Sequence, residues 1–323
     1  MDRPFLTIEQ QVERLEKRGM RTSEETPEIL MREGYYSVVN GYKAPFIDAK
    51  ASKEAGDDRY VDGATFEQLY ALFAFDRDLR ELTFHYLIRA EATTRTAISY
   101  CFSKAHRSPD AYLLQANYCS YDEYAAREED PSSYASELAG LTGILRGRAN
   151  SSRTEFVTHY REEHGGVPLW VLANDLTFGN LEHFFNLMKP DEQSAFCKMV
   201  ATSTGRLGDK ALGYFGPGKA RVCLEALVKF RNICAHDERI YCARVGGRKN
   251  IGYTDMLWML ERFLTKKEFN ELLSRLVPLF RKAGDRNALM HVFNETGMSG
   301  LTDELARRNQ LPDKSTANSY EEY

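Results

Sequence analysis

The sequence has no apolar run near the roughly 18 residues that a membrane-spanning helix needs, and its mean hydropathy is -0.49. No association with a membrane is therefore expected. The first residues also lack a basic segment followed by an apolar stretch, which is the pattern of a secretory signal. A cytoplasmic location is the expectation that follows.

The familiar signatures of several enzyme classes are also absent. The sequence contains no Walker A loop, no G-x-G-x-x-G, no H-E-x-x-H and no G-x-S-x-G. Its six cysteines form no C-x-x-C pair and do not stand at zinc-binding spacing from histidines. We therefore expect reduced and mostly buried thiols, no metal site and no cofactor.

Neither sign of charge is in large excess, because the sequence has 43 basic and 47 acidic residues and a net charge of -4. An indiscriminate nucleic-acid coat needs broad neutralisation of phosphates, so this balance argues against that class. A local basic patch stays compatible with it. The 323 residues, 43% of them hydrophobic, suffice for one large or two small folded domains.

Helical periodicity runs through most of the chain and strand alternation is scarce, which predicts an all-α fold. Thr7 to Gln10 and Thr65 to Gln68 match the capping-box pattern of a helix start. The second of these helices meets no Gly or Pro before about Lys104, so it is predicted to cross a whole domain. The polar stretch 51–63 is predicted to be a loop, and 122–151 a loop or a weak helical excursion.

These patterns divide the chain into three parts. Residues 1–62 are predicted to form an N-terminal helical appendage, and residues 63–300 a helical domain. Residues 301–323 are polar and are predicted to be a flexible tail.

One segment carries side chains suited to catalysis. Arg231 is followed by Asn232 and, five positions after the arginine, by His236. An unprotonated imidazole can take a proton near neutral pH, and a guanidinium can stabilise charge on a phosphoryl group. These are the groups that metal-independent cleavage of a phosphodiester requires.

The spacing alone is weak support for this interpretation. Arg80 and His85 are equally far apart, and other arginine–histidine pairs in the chain come close to the same gap. On spacing alone, a simpler interpretation places Arg231 in a surface ion pair and His236 at the end of a helix. The surrounding sequence changes the weight given to each interpretation.

A series of motifs along the chain adds that context. Phe75–Arg80 followed by Arg89–Arg95 resembles the FDRxLR…IExxxR stretch of the abortive-infection Abi-like proteins, the AbiD/AbiF group. Further blocks of that family are matched, in order, by Gln10–Gly19, Gly34–Phe46, Phe66–Phe73, Pro168–Trp170, Leu176–Leu181 and Arg231–His236. The last block reproduces the family's RNxCAH motif. The sequence therefore resembles this family over most of its length.

The resemblance implies a fold, an activity and a partner. The family belongs to the all-α HEPN superfamily, so residues 63–300 are expected to form a HEPN-type helical bundle with residues 1–62 as an extension. HEPN members with an R-x(4–6)-H motif are commonly metal-independent endoribonucleases. That implies toxin-like RNA cleavage in abortive-infection phage defence. For the AbiF branch it also implies control by a small noncoding RNA.

In the expected reaction His236 acts as general base on the ribose 2′-OH, or as acid toward the leaving 5′-oxygen. Arg231 stabilises the phosphate, and Asn232 fixes the ring, the backbone or the phosphate by a hydrogen bond. Asp237 follows His236 directly and is a candidate for orienting its ring. Residues five apart on a straight helix point about 140° from one another. Either the helix loosens near Ala235, or a homodimer with a composite site supplies the complementary pair.

Two further groups are expected to support this site. The basic residues after the motif are candidates for contacts with RNA phosphates, or alternatively belong to a solvated turn: Arg239, Arg244, Arg248 and Lys249. Four residues share a face of the long helix and are expected to form an ion-pair network that supports the motif helix, with direct contact to RNA as the alternative: Arg77, Arg80, Glu91 and Arg95.

A second function stays open at this point. A non-catalytic RNA-binding HEPN module of a toxin–antitoxin or defence system would hold a structured RNA without cutting it. His236 discriminates the two functions, because cleavage requires it and binding does not. A helical scaffold protein, the third possibility, leaves the context of the motif unexplained.

Overall fold

A computed structural model of the chain describes residues 5–127, 131–284, 289–301 and 304–305. Helices dominate these residues, and their β features are limited to three isolated bridges, Arg21–Thr65, Ile47–Tyr60 and Val245–Ile251. The predicted all-α fold is confirmed. The predicted flexible tail, 301–323, lies outside the described residues except for Leu301, Glu304 and Leu305.

The α-helices of the described residues follow one another with short connections, several of which are 3-10 turns. In chain order they are α1 (Ile8–Lys17), α2 (Thr26–Glu33), α3 (Ala49–Ala55), α4 (Phe66–Ala105), α5 (Tyr121–Ala125), α6 (Tyr134–Ser151), α7 (Glu155–His164), α8 (Leu169–Leu172), α9 (Phe178–Leu187), α10 (Pro190–Ser203), α11 (Pro217–Ala235), α12 (Tyr253–Leu260), α13 (Lys266–Gly284) and α14 (Met290–Thr296).

Both predicted capping boxes are present. The Thr7 hydroxyl accepts from the backbone N–H of Gln10, and the Gln10 side chain accepts from the N–H of Thr7. Thr65 and Gln68 exchange the same two bonds, at 3.1 and 3.2 Å. From there α4 continues for 40 residues, which at 1.5 Å per residue is about 60 Å. The predicted long helix is confirmed.

Two of the predicted loops are wrong in part. Residues 122–151 contain most of α5 and the whole 18-residue helix α6, and the segment 51–63 begins inside α3. The polar composition of 122–151 and the three glycines within α6 weaken its local helical signal. Leu138, Leu141 and Leu145 nevertheless recur at helical spacing and are buried. Burial of this apolar stripe therefore outweighs the low local propensity.

The described residues divide into two compact units. Unit 1 comprises the residues up to Leu82, the short segment Asp237–Cys242 and the residues from Leu273 onward. Unit 2 comprises the residues from Thr83 to His236 and from Ala243 to Leu272. The described part of the predicted appendage, 1–62, falls within unit 1. The predicted boundary at residue 62 stays a prediction.

The core of unit 1 is largely aromatic. Phe75 contacts Phe293 and Phe280 with ring centroids 5.1 and 5.2 Å apart. Tyr42 meets Phe73 edge-on at 5.3 Å and stacks on Tyr241 at 5.9 Å. Burying each such side chain contributes about 1.5–3 kcal/mol relative to leaving it exposed. These contacts hold the segment Asp237–Cys242 against the N-terminal part of α4.

The core of unit 2 is built around α11, which packs against α9, α10 and α12. Leu224, Leu227 and Phe230 on α11 are fully buried. Phe184 on α9 lies 5.0 Å from Phe102 on α4, measured between ring centroids. The motif at the end of α11 is therefore carried by a helix that buries one apolar face in the core of unit 2.

The cysteines agree with the sequence-based expectation. All six are free thiols, five of them are buried, and only Cys242 is exposed. Burial raises the pKa of the Cys223 thiol to about 11, which keeps it protonated near neutral pH. Among the helices that the structure describes, none is both long and apolar enough to cross a bilayer.

Candidate active site

The Arg231–His236 motif occupies the C-terminal end of α11. The helix ends at Ala235, and His236 is its C-cap, with φ -101° and ψ 13°. The backbone N–H of His236 still donates to the carbonyl oxygen of Asn232 at 2.9 Å. The backbone therefore leaves regular helical geometry at the histidine, and the angle expected for a straight helix does not apply to it.

The Arg231 guanidinium is fixed on one side and accessible on another. Its Nε donates to Oε2 of Glu91 at 3.2 Å, and its Nη1 lies 3.5 Å from Oδ1 of Asn232. The guanidinium carbon lies 6.0 Å from the centroid of the Phe84 ring. The side chain keeps 28% of its surface exposed. Within the described residues no hydrogen bond from Nη2 is found, so its N–H groups are available as donors to a ligand.

Glu91 connects the long helix α4 to the motif. It is 7% exposed, and while Oε2 accepts from Arg231, Oε1 accepts from Nη2 of Arg95 at 2.8 Å. Arg95 also donates through Nε to the carbonyl oxygen of Ala173 at 3.0 Å. One buried carboxylate thus holds two guanidinium groups, which compensates its own charge and orients Arg231.

His236 and Asn232 are both exposed. Among the residues that the structure describes, no hydrogen bond to the His236 imidazole is found, so both ring nitrogens are open to a ligand or a second protein chain. The simpler interpretation of the spacing is thus realised in its geometry. Arg231 forms an ion pair, and His236 ends a helix. Neither feature prevents these side chains from meeting a substrate.

Replacing Glu91 by glutamine is expected to lower the free energy of unfolding by about 1–3 kcal/mol, because the one remaining oxygen can accept from only one of the two guanidinium groups and carries no charge, while the new NH2 group faces the other donor. The loss stays below that of a fully buried pair, since Arg231 and Arg95 both reach solvent. Urea unfolding followed by circular dichroism measures it. Glu81→Gln, an exposed position on the same helix, is the control. Equal stability of the two variants would contradict the assigned role of Glu91.

Asp237, in unit 1, has a different partner from the one expected. Its Oδ1 accepts from Nη2 of Arg80, and its backbone has φ 59°, a left-handed conformation that Asp enters more readily than most residues. Arg80 also donates through Nη1 to Asp76 at 3.2 Å and to the carbonyl oxygen of Glu238 at 3.3 Å. The structure thus records an ion pair between Asp237 and Arg80 within unit 1.

Asp76 is fully buried at the centre of this arrangement. Its Oδ1 accepts from the N–H of Tyr241 at 2.7 Å. Its Oδ2 accepts from the Tyr42 hydroxyl at 2.7 Å, from the N–H of Ile240 at 3.3 Å and from Arg80. Burial raises the pKa of the Asp76 carboxyl, although these donors oppose the shift. We call Tyr42, Asp76, Arg80 and the bonded segment 237–241 the Asp76 cluster.

A comparison with known families identifies the chain. A family model described as Abi-like protein matches residues 28–242. This range includes α11 with its motif and ends just after the Asp76 cluster. The chain belongs to the Abi-like family. A search among curated proteins finds no match, and neither does a search among solved structures. Membership of the family suggests a role in abortive-infection phage defence.

The ion-pair residues expected on α4 of this Abi-like protein fall into two sets. Glu91 and Arg95 belong to unit 2, where they reach Arg231 as described. Arg77 and Arg80 belong to unit 1, where Nη1 of Arg77 lies 3.3 Å from Oε1 of Glu33. Sequence reasoning missed Asp76 and Glu33 as partners. The i,i+4 spacing of Asp76 and Arg80 is a sequence signal that could have identified Asp76. No such signal exists for Glu33, because it is distant in sequence from Arg77.

The candidate RNA-contacting residues are exposed, and each has its own surroundings. In unit 1, Nη1 of Arg239 donates to the carbonyl oxygen of Gly41 at 2.7 Å. In unit 2, Arg248 and Lys249 lie in a 3-10 turn, and Lys249 Nζ is 3.5 Å from Oε2 of Glu225. Arg244 packs against Gly252. Their contact with RNA stays a prediction.

Proposed function

We propose that this Abi-like protein is a metal-independent endoribonuclease of the HEPN type that acts as a toxin-like effector in abortive infection. The observation that carries the proposal is the exposed end of α11. There Arg231 and Asn232 lie in the last turns of the helix and His236 caps its C-terminus, and Glu91 accepts a hydrogen bond from the Arg231 guanidinium. A positioned cation and an imidazole without a hydrogen-bond partner among the described residues are the groups that metal-independent phosphodiester cleavage needs.

The reaction uses the ribose 2′-hydroxyl as nucleophile. The neutral imidazole of His236 takes the 2′-OH proton while the 2′-oxygen forms a bond to the adjacent phosphorus. The bond from phosphorus to the 5′-oxygen breaks, and that oxygen takes a proton from an imidazolium. Arg231 donates to the non-bridging oxygens, whose negative charge grows in the transition state. The products are a 2′,3′-cyclic phosphate and a 5′-hydroxyl.

A homodimer supplies a complete set of groups for both proton transfers. One copy offers a single Arg231 and a single His236, and within the described residues no hydrogen bond joins these two side chains. A two-fold arrangement brings two arginines and two histidines to one groove, as isologous interfaces do. One imidazole then serves as the base and the other as the acid. Control of this dimer by a small noncoding RNA is part of the proposal and rests on the family resemblance.

The second candidate function is a non-catalytic RNA-binding module. The Glu91–Arg231 ion pair favours it, because the carboxylate compensates part of the charge that would act on a phosphate. Such a module would bind RNA with the same surface and release it unchanged. Cleavage therefore decides between the two functions.

The decisive experiment analyses the ends of RNA incubated with the purified protein. We expect fragments with 2′,3′-cyclic phosphate and 5′-hydroxyl ends, formed equally well with and without EDTA. A substrate with 2′-deoxyribose at the cleaved position should stay intact, since the nucleophile is missing. Cleavage that EDTA abolishes, or fragments with 5′-phosphate ends, would contradict the mechanism. Intact RNA under all conditions would favour the binding module.

A further inference from the structure

A groove in unit 2 combines basic and aromatic side chains in a way that the proposed catalytic site does not use. It has a volume of about 550 Å³ and runs along the C-terminal part of α4 and the segment that contains α8. The residues that line it include Arg95, Tyr100, Ser103, Lys104, Arg107 and Trp170.

Two large aromatic side chains of the groove are exposed. Trp170 has 51% of its surface accessible and Tyr100 has 57%. Keeping an indole ring in water forfeits the burial that large aromatic side chains ordinarily gain in a core. Trp170 is one of only two tryptophans in the chain. An exposed indole in a concave surface is suited to stacking on another flat group, and a nucleobase offers one whatever its identity.

The charge of the groove is of one sign. Arg95, Lys104 and Arg107 line it, and no Asp or Glu does, although the chain as a whole carries a net charge of -4. Arg95 is paired with Glu91, whereas Lys104 and Arg107 are exposed and have no ion pair within the described residues. A lysine near a helix end also complements the helix dipole, but this leaves Arg107 and Trp170 unexplained. Two free cations beside an indole fit a phosphate backbone with its bases.

The backbone segment that contains Trp170 is fixed by hydrogen bonds. The Asn174 side chain donates through Nδ2 to the carbonyl oxygens of Trp170 and Val171, at 3.1 and 3.2 Å. Arg95 on α4 donates to the carbonyl oxygen of Ala173 in the same segment. A platform that is fixed before the ligand arrives loses little conformational entropy on binding.

The groove and the motif are joined by one carboxylate. Arg95 lines the groove and bonds to Oε1 of Glu91, and Oε2 of Glu91 bonds to Arg231. A strand in the groove therefore lies next to the ion pair that orients the proposed catalytic arginine. We propose that this groove binds single-stranded RNA, with a base stacked on Trp170 and phosphates at Lys104 and Arg107. This inference rests on the proposed function, because it takes RNA as the ligand.

Tryptophan fluorescence tests the proposal directly. Trp258→Phe leaves Trp170 as the only tryptophan, and His236→Ala in the same protein keeps the probe RNA intact. An oligouridine of about 12 nucleotides, within the usual range for such sites, is titrated in while indole fluorescence and the anisotropy of a label on the RNA are recorded. We expect saturable quenching at the same RNA concentrations that raise the anisotropy.

Substitutions in the groove should weaken binding in two distinct ways. Trp170→Leu should reduce affinity about 5- to 150-fold, the range found for loss of one base–aromatic stack. Joint Lys104→Ala and Arg107→Ala should lower the slope of log affinity against log salt by about 1.4, the value for two phosphate contacts on a single strand. The matched controls are Phe156→Leu on α7 and joint Lys50→Ala and Lys53→Ala on α3, which should leave both quantities unchanged.

The possible outcomes distinguish failure of the groove proposal from failure of the proposed function. If RNA binds without quenching Trp170, and binds the groove variants as tightly as the parent protein, the assignment of the groove as an RNA site is overturned. Cleavage by the unsubstituted protein would in that case still uphold the proposed function. Equal quenching by an RNA duplex of the same length would overturn the single-strand assignment. Absence of both binding and cleavage would overturn both proposals. Circular dichroism of each variant verifies that the substitutions leave the fold intact.

Discussion

Replacement of Asp76 by asparagine is expected to lower the free energy of unfolding by about 3–5 kcal/mol, as found when one partner of a buried ion pair is removed. The two carboxylate oxygens accept four hydrogen bonds, from Tyr241, Ile240, Tyr42 and Arg80. Asparagine offers one oxygen and one NH2 group, so whichever way it turns, a donor faces a donor. Arg80, which is 5% exposed, also loses a buried counter-charge.

This effect is measured by urea unfolding of the full chain, with far-UV circular dichroism reporting the loss of helix. Asp78→Asn is the matched control, because Asp78 lies two residues away on the same helix and is exposed. Its effect should stay within about 0.5 kcal/mol, as is usual for surface positions. Similar midpoints for the two variants would contradict the role assigned to the Asp76 cluster.

Features that depend on neighbouring residues were predictable from the sequence. The Thr65–Gln68 capping box predicts the start of α4, and the absence of Gly and Pro up to Ala105 predicts its length. The signal for α6 was weak, because its glycines and polar residues lower the local propensity that a sequence pattern measures. Burial of Leu138, Leu141 and Leu145 stabilises this helix despite the weak local signal.

Features that join distant parts of the chain were not predictable in the same way. Glu91 and Arg231 are 140 positions apart, and no local rule pairs a carboxylate on one helix with a guanidinium on another. Asp76 reaches Tyr241 over 165 positions. The end of α11 is a local feature and does not share this limit, since the sequence places His236 at the end of a helix and the helix ends at Ala235. Family motifs located the residues, and the structure supplied their partners.

His236→Ala and Arg231→Ala are each expected to lower the rate of RNA cleavage by about 100- to 10,000-fold, the range for loss of a general acid–base group or of a charge that stabilises the transition state. His236 is exposed and outside the core, so the alanine variant should fold normally. His159→Ala, an exposed position on α7, is the control and should keep its activity. Full activity of the His236 variant would contradict its assignment as the proton-transferring group.

Combining the two inactive chains tests the composite site. When both are co-expressed in equal amounts, random pairing makes about half of the dimers mixed. A mixed dimer keeps one Arg231 from one copy and one His236 from the other. If the site draws on both copies, these dimers should cleave RNA faster than either variant alone, though more slowly than the unsubstituted protein. Rates are measured on mixed dimers isolated through two different affinity tags.

The mixed dimers distinguish a composite site from a site within one copy, because mixing cannot restore a site that lies within one copy. In that case every protomer still lacks either its guanidinium or its imidazole, and the mixed dimer stays as slow as its parents. A fully active monomer in mass photometry would exclude the dimeric site altogether. Recovery should be partial, because the single imidazole of a mixed dimer can act as the base or as the acid in the cleavage step but not as both. Recovery above both parents therefore requires that Arg231 and His236 act across a two-fold interface.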